Sequence, residues 1–525
     1  MKKRSFRITT FLALMLLIFT GMVFVVATSA NGDGDDVVDP APPPSDMPVN
    51  AFGVWLLPPN LEGGPKLREA DALWTTLFLH WNDAERSPGQ YDWSQWDAIL
   101  GRAATQGYQV IVTVTGNPSW AADTGCGPIH PDRLDEFAAF MQAAVARYSQ
   151  PPYNVKYWSF YNEPDNSDAV NYSWLGGCWG FAYNPNAAAG AGGKAYANML
   201  KQVYPAVKRA DPEAYVVLGG LAYDYFTTDP GGGIFDPVFL DDILAVGGGD
   251  YFDVINFHYY PWSGWRWEPP GADRYGKHIS YKARWLATEV YKVTGERKPI
   301  ICTEVGETSH NKDNVADYHR QILAIYQNIL GAKSANVYPI LWFTGIDLRF
   351  SISYDGRRYG LLHLDGSPKP SYYAYKALVG ELKDATFVRA RHDLPGRFEG
   401  YEFSDRGRRK TVLWMYAGDP NFPPPQPINF PISQSGGSMR VVKVRTHVRG
   451  DSDLNIVSEE ILTDGGAGDA DGSVNGNIRV LIDEDIRFLE DLTMPTYTPT
   501  PTPTPQHSIY LPIFYQISTG MHIAK

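Results

Sequence analysis

Residues 157–164 read YWSFYNEP, an apolar and aromatic run of strand length that ends abruptly in Asn162, Glu163 and Pro164. A strand body without polar alternation is typical of parallel sheets that are buried on both faces. In a parallel α/β barrel the catalytic groups lie at the carboxyl ends of the strands, while the strand bodies fill the core. The position of Glu163 therefore predicts a functional carboxylate at the mouth of a barrel.

Further β-like runs flank this one, and segments with helical periodicity separate them. The eight predicted strands cover residues 51–57, 74–80, 109–115, 155–161, 215–219, 254–259, 299–303 and 336–343. Strands that alternate with helices in this way predict a (β/α)8 TIM barrel over residues 50–380. A doubly wound open sheet is the alternative fold, but no GxGxxG phosphate loop follows the first strand.

A second carboxylate ends the seventh predicted strand. Residues 298–306 read KPIICTEVG, so that Glu304 follows an apolar run and precedes a glycine. Two carboxylates across one barrel mouth are the equipment for glycoside hydrolysis. Glu307 is an alternative candidate for the role of Glu304, because it lies only three residues further along the chain. Asp165, two residues after Glu163, is an alternative candidate for the role of Glu163.

The FYNEP motif at residues 160–164 resembles the fourth-strand motif of glycoside hydrolase clan A. This clan contains retaining (β/α)8 enzymes such as those of families 5 and 39, and the resemblance covers residues 50–380. It implies that Asn162 binds the substrate 2-hydroxyl, that Glu163 is the general acid/base and that Glu304 is the nucleophile. The turn PGQYDW at residues 88–93 also matches several clan families.

The resemblance implies roles for His258, Tyr260 and Trp342, and the position of Trp120 on a loop suggests a fourth. His258 and Tyr260, at the end of the sixth strand, are expected to line the sugar subsite or to hydrogen-bond the nucleophile. Trp342 matches the aromatic platform beneath the sugar, and the alternative is a Trp that packs in the core. Trp120, on the loop after the third strand, suits either a sugar-stacking subsite or packing between long loops.

The second strand departs from the clan pattern. Many members carry an Arg there, near the nucleophile, whereas this chain has Thr76 in that position. The nucleophile must stay ionised, and nearby donors keep its pKa low. Either His80, at the end of the same strand, or another donor therefore compensates, or the site is weaker than in typical clan members.

Composition favours an exported enzyme over a nucleic-acid-binding protein. The chain has 525 residues, a hydrophobic fraction of 44% and a formal charge of -12. Binding to a phosphate backbone needs clustered Lys and Arg, so nucleic acid is not an expected partner. A carbohydrate is the expected partner, and the chemistry requires neither a metal nor an organic cofactor.

Three cysteines are too few for a disulfide-stapled scaffold. Cys302 falls inside a predicted strand and reads as a core thiol. Cys126 and Cys178 lie in loops after the third and fourth strands, where they are either bridged or unpaired.

Both ends of the chain read as segments outside the catalytic domain. Residues 1–30 have a basic start, an apolar run and small residues, which predicts a cleaved signal peptide, with an uncleaved anchor helix as the alternative. Residues 31–49 form a Pro/Gly/Asp-rich linker, residues 493–507 a Thr-Pro linker, and residues 508–525 a short apolar tail. Either apolar segment could attach the protein to a cell surface.

Residues 381–492 contain short alternating segments separated by Gly, Asp and Pro, which predict a small β-sandwich-like domain. This domain either binds carbohydrate or packs against one flank of the barrel.

The sequence therefore predicts a secreted or cell-surface retaining β-glycoside hydrolase. It is expected to act on a polysaccharide or oligosaccharide by double displacement through a glycosyl-enzyme intermediate. The alternative is a non-catalytic carbohydrate-binding or cell-surface scaffold protein built on the same barrel.

Overall fold

The computed structural model describes residues 37–58, 60–167, 176–180, 191–223, 235–260, 279–310, 316–349, 358–394, 398–415 and 425–493. The predicted signal peptide, the apolar tail and all but the first residue of the Thr-Pro linker lie outside these residues.

Eight parallel strands form the predicted barrel. They are β1 Phe52–Val54, β2 Trp74–His80, β3 Gln109–Thr115, β4 Tyr157–Phe160, β5 Tyr215–Val217, β6 Ile255–Tyr259, β7 Ile300–Val305 and β8 Val337–Trp342. Their hydrogen-bonded order is β5-β4-β3-β2-β1-β8-β7-β6. Bridges from Val217 to Val254 and from Leu221 to Phe257 join β5 to β6 and close the barrel. The predicted (β/α)8 fold is confirmed.

Helices surround the strands and bury one apolar face each. Within the described ranges, the α-helices are α1 Gly64–Arg68, α2 Trp81–Ala84, α3 Ser94–Thr105, α4 Leu134–Tyr148, α5 Ala191–Ala210, α6 Phe239–Ala245, α7 Ile279–Thr294, α8 His319–Ser334 and α9 Pro370–Leu382. The described part of the barrel domain also contains 3-10 helices at Pro131–Arg133 and Gly248–Tyr251 and a hairpin of Glu85–Ser87 with Gln90–Tyr91. On α3 the buried residues are Trp96, Ile99, Leu100 and Ala103, as helical periodicity requires.

The lower end of the barrel, where the strands begin, is filled by apolar side chains. The buried cluster there comprises Met47, Trp74, Ile111, Tyr157, Val217, Val254, Ile301 and Leu341. Met47 belongs to the segment predicted as a linker. Residues 37–49 differ from a free tether, because Val38 N donates to Thr288 Oγ1 at 2.9 Å and Ala41 N donates to the Lys298 carbonyl at 3.1 Å. The apolar Met47 explains this attachment, since it buries its side chain under the barrel.

The accessory domain follows α9 and consists of two antiparallel sheets. Its strands are β9 Thr386–Ala390, β10 Phe398–Asp405, β11 Arg408–Met415, β12 Gln426–Pro431, β13 Ser438–Val444, β14 Val457–Thr463, β15 Asn477–Ile482 and β16 Ile486–Asp491. Six of them pair in the order β9-β10-β11-β16-β13-β14, and β12 pairs with β15. Leu413 and Val441 from the large sheet share a core with Ile428 and Ile478 from the small one. The predicted sandwich-like arrangement is confirmed.

The other face of the large sheet packs against the barrel. Phe488 on β16 contacts Tyr326 on α8, with ring centroids 5.8 Å apart. Glu381 on α9 accepts hydrogen bonds from Arg440 at 2.8 and 2.9 Å. These contacts match the predicted role of shielding one flank.

The described helices include none with both the length and the apolar character needed to cross a membrane.

Candidate active site

Glu163 is held at the upper end of β4 by unusual backbone geometry. Tyr161 has φ 60° and Glu163 has φ 48°, both in the left-handed region that side chains rarely adopt. Asn162 between them bridges to Gly220, which follows β5. Strained backbone of this kind persists where the surrounding structure enforces it, and it clusters at functional sites.

Glu304 reaches the barrel interior because β7 contains a bulge. Along β6, Phe257 pairs with Cys302, but the next residue, His258, pairs with Glu304. Thr303 is therefore the extra residue, and such a bulge re-aims the side chains around it. As a result, both Thr303 and Glu304 lie next to His258.

His258 lies between the two carboxylates. Its Nδ1 atom is 2.8 Å from Glu163 Oε1 and 3.6 Å from Glu304 Oε2. The three side chains are almost fully buried, and one carboxylate oxygen of Glu163 lies within 4.8 Å of one of Glu304. Gly220 makes room for the ring, because a Cβ there would lie 2.2 Å from His258 Nε2.

The hydrogen bonds around His258 place a proton on its Nε2 atom. Asn256 Oδ1 accepts from Thr303 N at 3.3 Å and from Thr303 Oγ1 at 3.0 Å, which uses the single hydroxyl proton. Thr303 Oγ1 must then accept from His258 Nε2, at 3.1 Å. A neutral ring with its proton on Nε2 has a lone pair on Nδ1. The contact between Nδ1 and Glu163 therefore holds one proton, on the carboxyl group or on the ring.

Burial raises the pKa of Glu304 to about 7, and the negative charge of Glu163 acts in the same direction. His258 and the hydrogen bond from Tyr260 oppose this increase. The sequence predicted a low pKa for this group. The difference has a physical reason in burial, which outweighs the opposing effects of His258 and Tyr260. Thr76, in the position where many clan members carry an Arg, hydrogen-bonds Thr113 at 3.1 Å.

Tyr260 lies where the sequence placed it, and its hydroxyl donates to Glu304 Oε2 at 2.7 Å. Asn162 is buried beside Glu163.

The two alternative carboxylates, Glu307 and Asp165, make contacts outside the Glu163–His258–Glu304 cluster. Glu307 pairs with Arg320 at 2.9 Å and accepts from Thr308 N at 2.8 Å. Asp165 is fully buried and accepts from the amides of Ala222 and Tyr223 at 3.0 and 2.8 Å. Burial raises the pKa of Asp165 to about 7. Its contacts hold the loop after β5 against the loop after β4.

Trp342 does not fit the predicted sugar platform. Its side chain is fully buried, and its Nε1 donates to the Tyr359 carbonyl at 3.1 Å. A ring without an exposed face cannot stack on a sugar. The next residue, Phe343, is only partly buried, and its ring lies 6.0 Å from the ring of Tyr260. Phe343 is therefore the aromatic side chain that borders the site at this strand end.

His80 and Trp120 lie on the upper side of the barrel but not at the carboxylates. His80 is exposed and lines a pocket with Trp55, Phe78 and Asp83. It makes no hydrogen bond to Glu163 or Glu304 in the described part of the chain. Trp120 is partly buried and packs edge-on against Trp81, with centroids 5.2 Å apart, which favours the packing role over the stacking role.

A disulfide joins Cys126 to Cys178, whose Cα atoms are 5.2 Å apart. The bond ties the loop after β3 to the loop after β4, which carries Glu163. Cys302 is buried and free, as predicted.

Sequence reasoning missed Asn256 and Thr303 as members of the site. The spacing of Asn256 and His258 on one strand face was a usable signal, because residues two apart in a strand point the same way. The role of Thr303 had no such signal, since consecutive strand residues normally point to opposite faces.

Glu163, His258 and Glu304 together offer three ligand atoms within 4.8 Å, so they could hold a cation. The same site also contains two facing carboxyl groups, those of Glu163 and Glu304, and a proton shared between Glu163 and His258. These groups are sufficient for acid/base and nucleophilic chemistry without a metal.

Comparisons with known proteins agree with this geometry. The sequence profile of the Cellulase family (glycosyl hydrolase family 5) matches residues 76–345, just over half of the chain. No curated protein matches.

Several solved structures share the fold. A family 39 glycoside hydrolase from Bacteroides cellulosilyticus WH2 has a TM-score of 0.58 and 19% identity, covering 84% of this chain and 80% of that one. A GH30 endoxylanase from Clostridium papyrosolvens C71 has a TM-score of 0.54 and 13% identity, with coverage of 87% and 98%. A monomeric beta-xylosidase from Caulobacter crescentus CB15 has a TM-score of 0.54 and 14% identity, with the same coverage.

Proposed function

The chain belongs to the Cellulase family, glycosyl hydrolase family 5, and is a glycoside hydrolase of clan A; on this premise we propose that it is a retaining β-glycosidase of polysaccharides or oligosaccharides. Glu304 is the nucleophile and Glu163 the general acid/base. The single observation that carries the proposal is the distance of at most 4.8 Å between carboxylate oxygens of the two residues. Retaining enzymes place their carboxyl groups about 5 to 5.5 Å apart, and inverting enzymes about 6.5 to 9.5 Å apart.

In the first step, Glu304 attacks the anomeric carbon and forms a glycosyl ester. The bond from that carbon to the leaving-group oxygen breaks, and Glu163 transfers its proton to the oxygen. The proton between Glu163 and His258 is positioned for this transfer. Tyr260 donates to Glu304 in the free enzyme and holds the attacking carboxylate in orientation.

In the second step, Glu163 is ionised and takes a proton from water as the water attacks the ester. The oxygen of Glu304 leaves, and Glu163 regains its proton. Two displacements at one carbon retain the β configuration. Asn162 binds the sugar 2-hydroxyl, and Phe343 replaces Trp342 as the apolar surface beside the sugar.

Export of the enzyme is part of the proposal. The basic, apolar and small-residue segments of residues 1–30 support a signal peptide. The disulfide between Cys126 and Cys178 supports an oxidising compartment. One structure with the same fold is described as a conserved exported protein from Bacteroides fragilis, with a TM-score of 0.53. In the mature chain, residues 508–525 would serve surface attachment; residues 1–30 would do so only as an uncleaved anchor, which is the alternative to a signal peptide.

The test uses the mature chain and a panel of activated aryl β-glycosides. The panel includes a glucoside and a xyloside, because the family is named for cellulases and one structural neighbour is a beta-xylosidase. Glu163→Ala should lower turnover by about 10²–10⁴-fold. An activated leaving group departs without a proton, so the intermediate still forms and accumulates. Added azide needs no general base and should restore turnover, giving a β-glycosyl azide.

Glu304→Ala is the matched variant in this test. It can form no glycosyl ester, so azide should yield at most the α-product. NMR spectroscopy of the unmodified enzyme's reaction gives the anomeric configuration of the first product. An inverted configuration would rule out double displacement. Sugar binding without hydrolysis across the panel would favour the non-catalytic alternative.

A further inference from the structure

A second cluster of metal-ligating side chains lies between the barrel and the accessory domain. His319 is the first residue of α8, His447 follows β13, and Glu484 lies in the turn between β15 and β16. One ring nitrogen of each histidine and one carboxylate oxygen lie within 4.8 Å of one another. Two imidazoles and a carboxylate form a ligand set that zinc sites use.

Two atoms of this cluster lack hydrogen-bond partners. His319 Nδ1 and Glu484 Oε1 are buried, and neither has a partner in the described residues. The Glu484 side chain is only 8% exposed, and its other oxygen contacts His447 Nε2. Buried polar atoms are nearly always paired, and an unpaired one calls for an explanation such as a bound ion.

The cluster is also open to solvent on one side. The two imidazole rings stack with centroids 3.9 Å apart and planes 14° apart, which brings their nitrogens side by side. Zinc at about 2.0–2.1 Å from each ligand needs ligand atoms roughly 3.3 Å apart. Because an imidazole nitrogen binds a metal through a lone pair in the plane of its ring, the two rings must also tilt out of the stacked arrangement when the ion binds. The His447 side chain is 47% exposed, which gives an ion an entry path and leaves room for water as a fourth ligand.

We propose that His319, His447 and Glu484 bind one divalent transition-metal ion of the zinc type. The ion links the start of α8 to the accessory domain, at a point where Tyr318 N also donates to the Val448 carbonyl at 3.0 Å. The same helix turn supports the catalytic strand end, since Gln321 donates to the Glu307 carbonyl at 2.9 Å. The metal therefore stabilises the junction of the two domains and takes no part in glycoside cleavage.

The experiment uses the full mature chain after chelator treatment and dialysis. Zinc chloride is titrated by calorimetry, and cobalt(II) is added separately to record the visible absorption of four-coordinate cobalt. His447→Ala removes an exposed ligand, and His392→Ala is the matched control because His392 is an exposed histidine of the same domain. Glu484→Gln keeps the side-chain volume but removes the charge.

We expect the unmodified chain and His392→Ala to bind zinc with equal affinity and to gain thermal stability from it. His447→Ala and Glu484→Gln should each bind at this site at least about tenfold more weakly, by loss of one ligand, and should lose the cobalt spectrum. Any zinc bound between Glu163, His258 and Glu304 would inhibit hydrolysis equally in all four proteins. The proposal is overturned if the unmodified chain takes up no zinc, or if His447→Ala or Glu484→Gln binds it unchanged.

Discussion

The two ends of the barrel use opposite chemistry. At the lower end, Met47 packs with apolar and aromatic side chains such as Trp74 and Tyr157. At the upper end, Glu163 and Glu304 are equally buried but ionisable, and Tyr161 and Glu163 have backbone conformations in the left-handed region. Apolar burial stabilises the fold, whereas buried charge and strained backbone destabilise it. The comparison indicates that stability resides at one end and reactivity at the other.

The assignment of reactivity to the upper end is tested most directly by changing the two glutamates near the end of β7 separately. Glu304→Gln removes the nucleophile, so we expect kcat on an aryl β-glycoside to fall by a factor on the order of 10⁵. Glu307→Gln weakens an ion pair with Arg320 and should change kcat by less than about tenfold. Initial rates of the two purified variants measure the difference. The reverse pattern would make Glu307 the nucleophile.

The disulfide should contribute stability although it lies at the reactive end. The bond closes a loop between residues that are 52 apart in sequence. Its removal in a Cys126→Ala, Cys178→Ala double variant should lower the free energy of unfolding by about 2–4 kcal/mol. Denaturant titration measures this, with Cys302→Ala as the control for loss of a buried thiol. An unchanged midpoint would mean that the loops after β3 and β4 need no covalent link.

A variant of Met47 tests whether the lower end of the barrel contributes to stability and not to catalysis. Met47→Ala removes a side chain that is 9% exposed and leaves a cavity below Trp74, so the free energy of unfolding should fall by about 2 kcal/mol. The kcat of the folded enzyme should not change. A loss of kcat without a loss of stability would contradict the division between the two ends.

The smallest expected effect concerns the protonation of Glu163. Thr303→Val removes the acceptor for His258 Nε2, which favours the tautomer that donates from Nδ1 to an ionised Glu163. Ionisation of the acid then occurs at lower pH, so the alkaline limb of kcat/KM for an alkyl β-glycoside should move down by about one pH unit. Thr288→Val, which removes a buried hydroxyl on α7, is the control.

The acidic limb of the same profile reports Glu304. Because burial raises the pKa of Glu304 to about 7, kcat/KM should fall as pH falls below about 7 and the nucleophile becomes protonated. A limb near pH 4.5 in the unmodified enzyme would show that water or an additional donor reaches the carboxylate.

The sequence was sufficient for the barrel and the membership of clan A, because parallel strands are continuous apolar runs and the motifs at residues 160–164 and 303–306 end them. It could not show that β7 carries a bulge, since a bulge depends on pairing with β6. The pairing of β8 is equally invisible in the sequence, which therefore assigned the sugar platform to Trp342. In the structure the Trp342 side chain points into the core, and Phe343, one residue further along, borders the site. Residues 37–49 read as a linker by composition, and only tertiary packing of Met47 reveals otherwise.

The contact of Phe488 with Tyr326 has a consequence for how the chain loses its structure. Side chains of the large accessory sheet and of the barrel helices belong to one continuous apolar cluster. Heating cannot release the sheet without exposing α8 and α9 to water, so the two parts should melt together in a single calorimetric transition, with a van't Hoff enthalpy equal to the calorimetric one. The large accessory sheet is therefore expected to unfold with the barrel and not as an independent module.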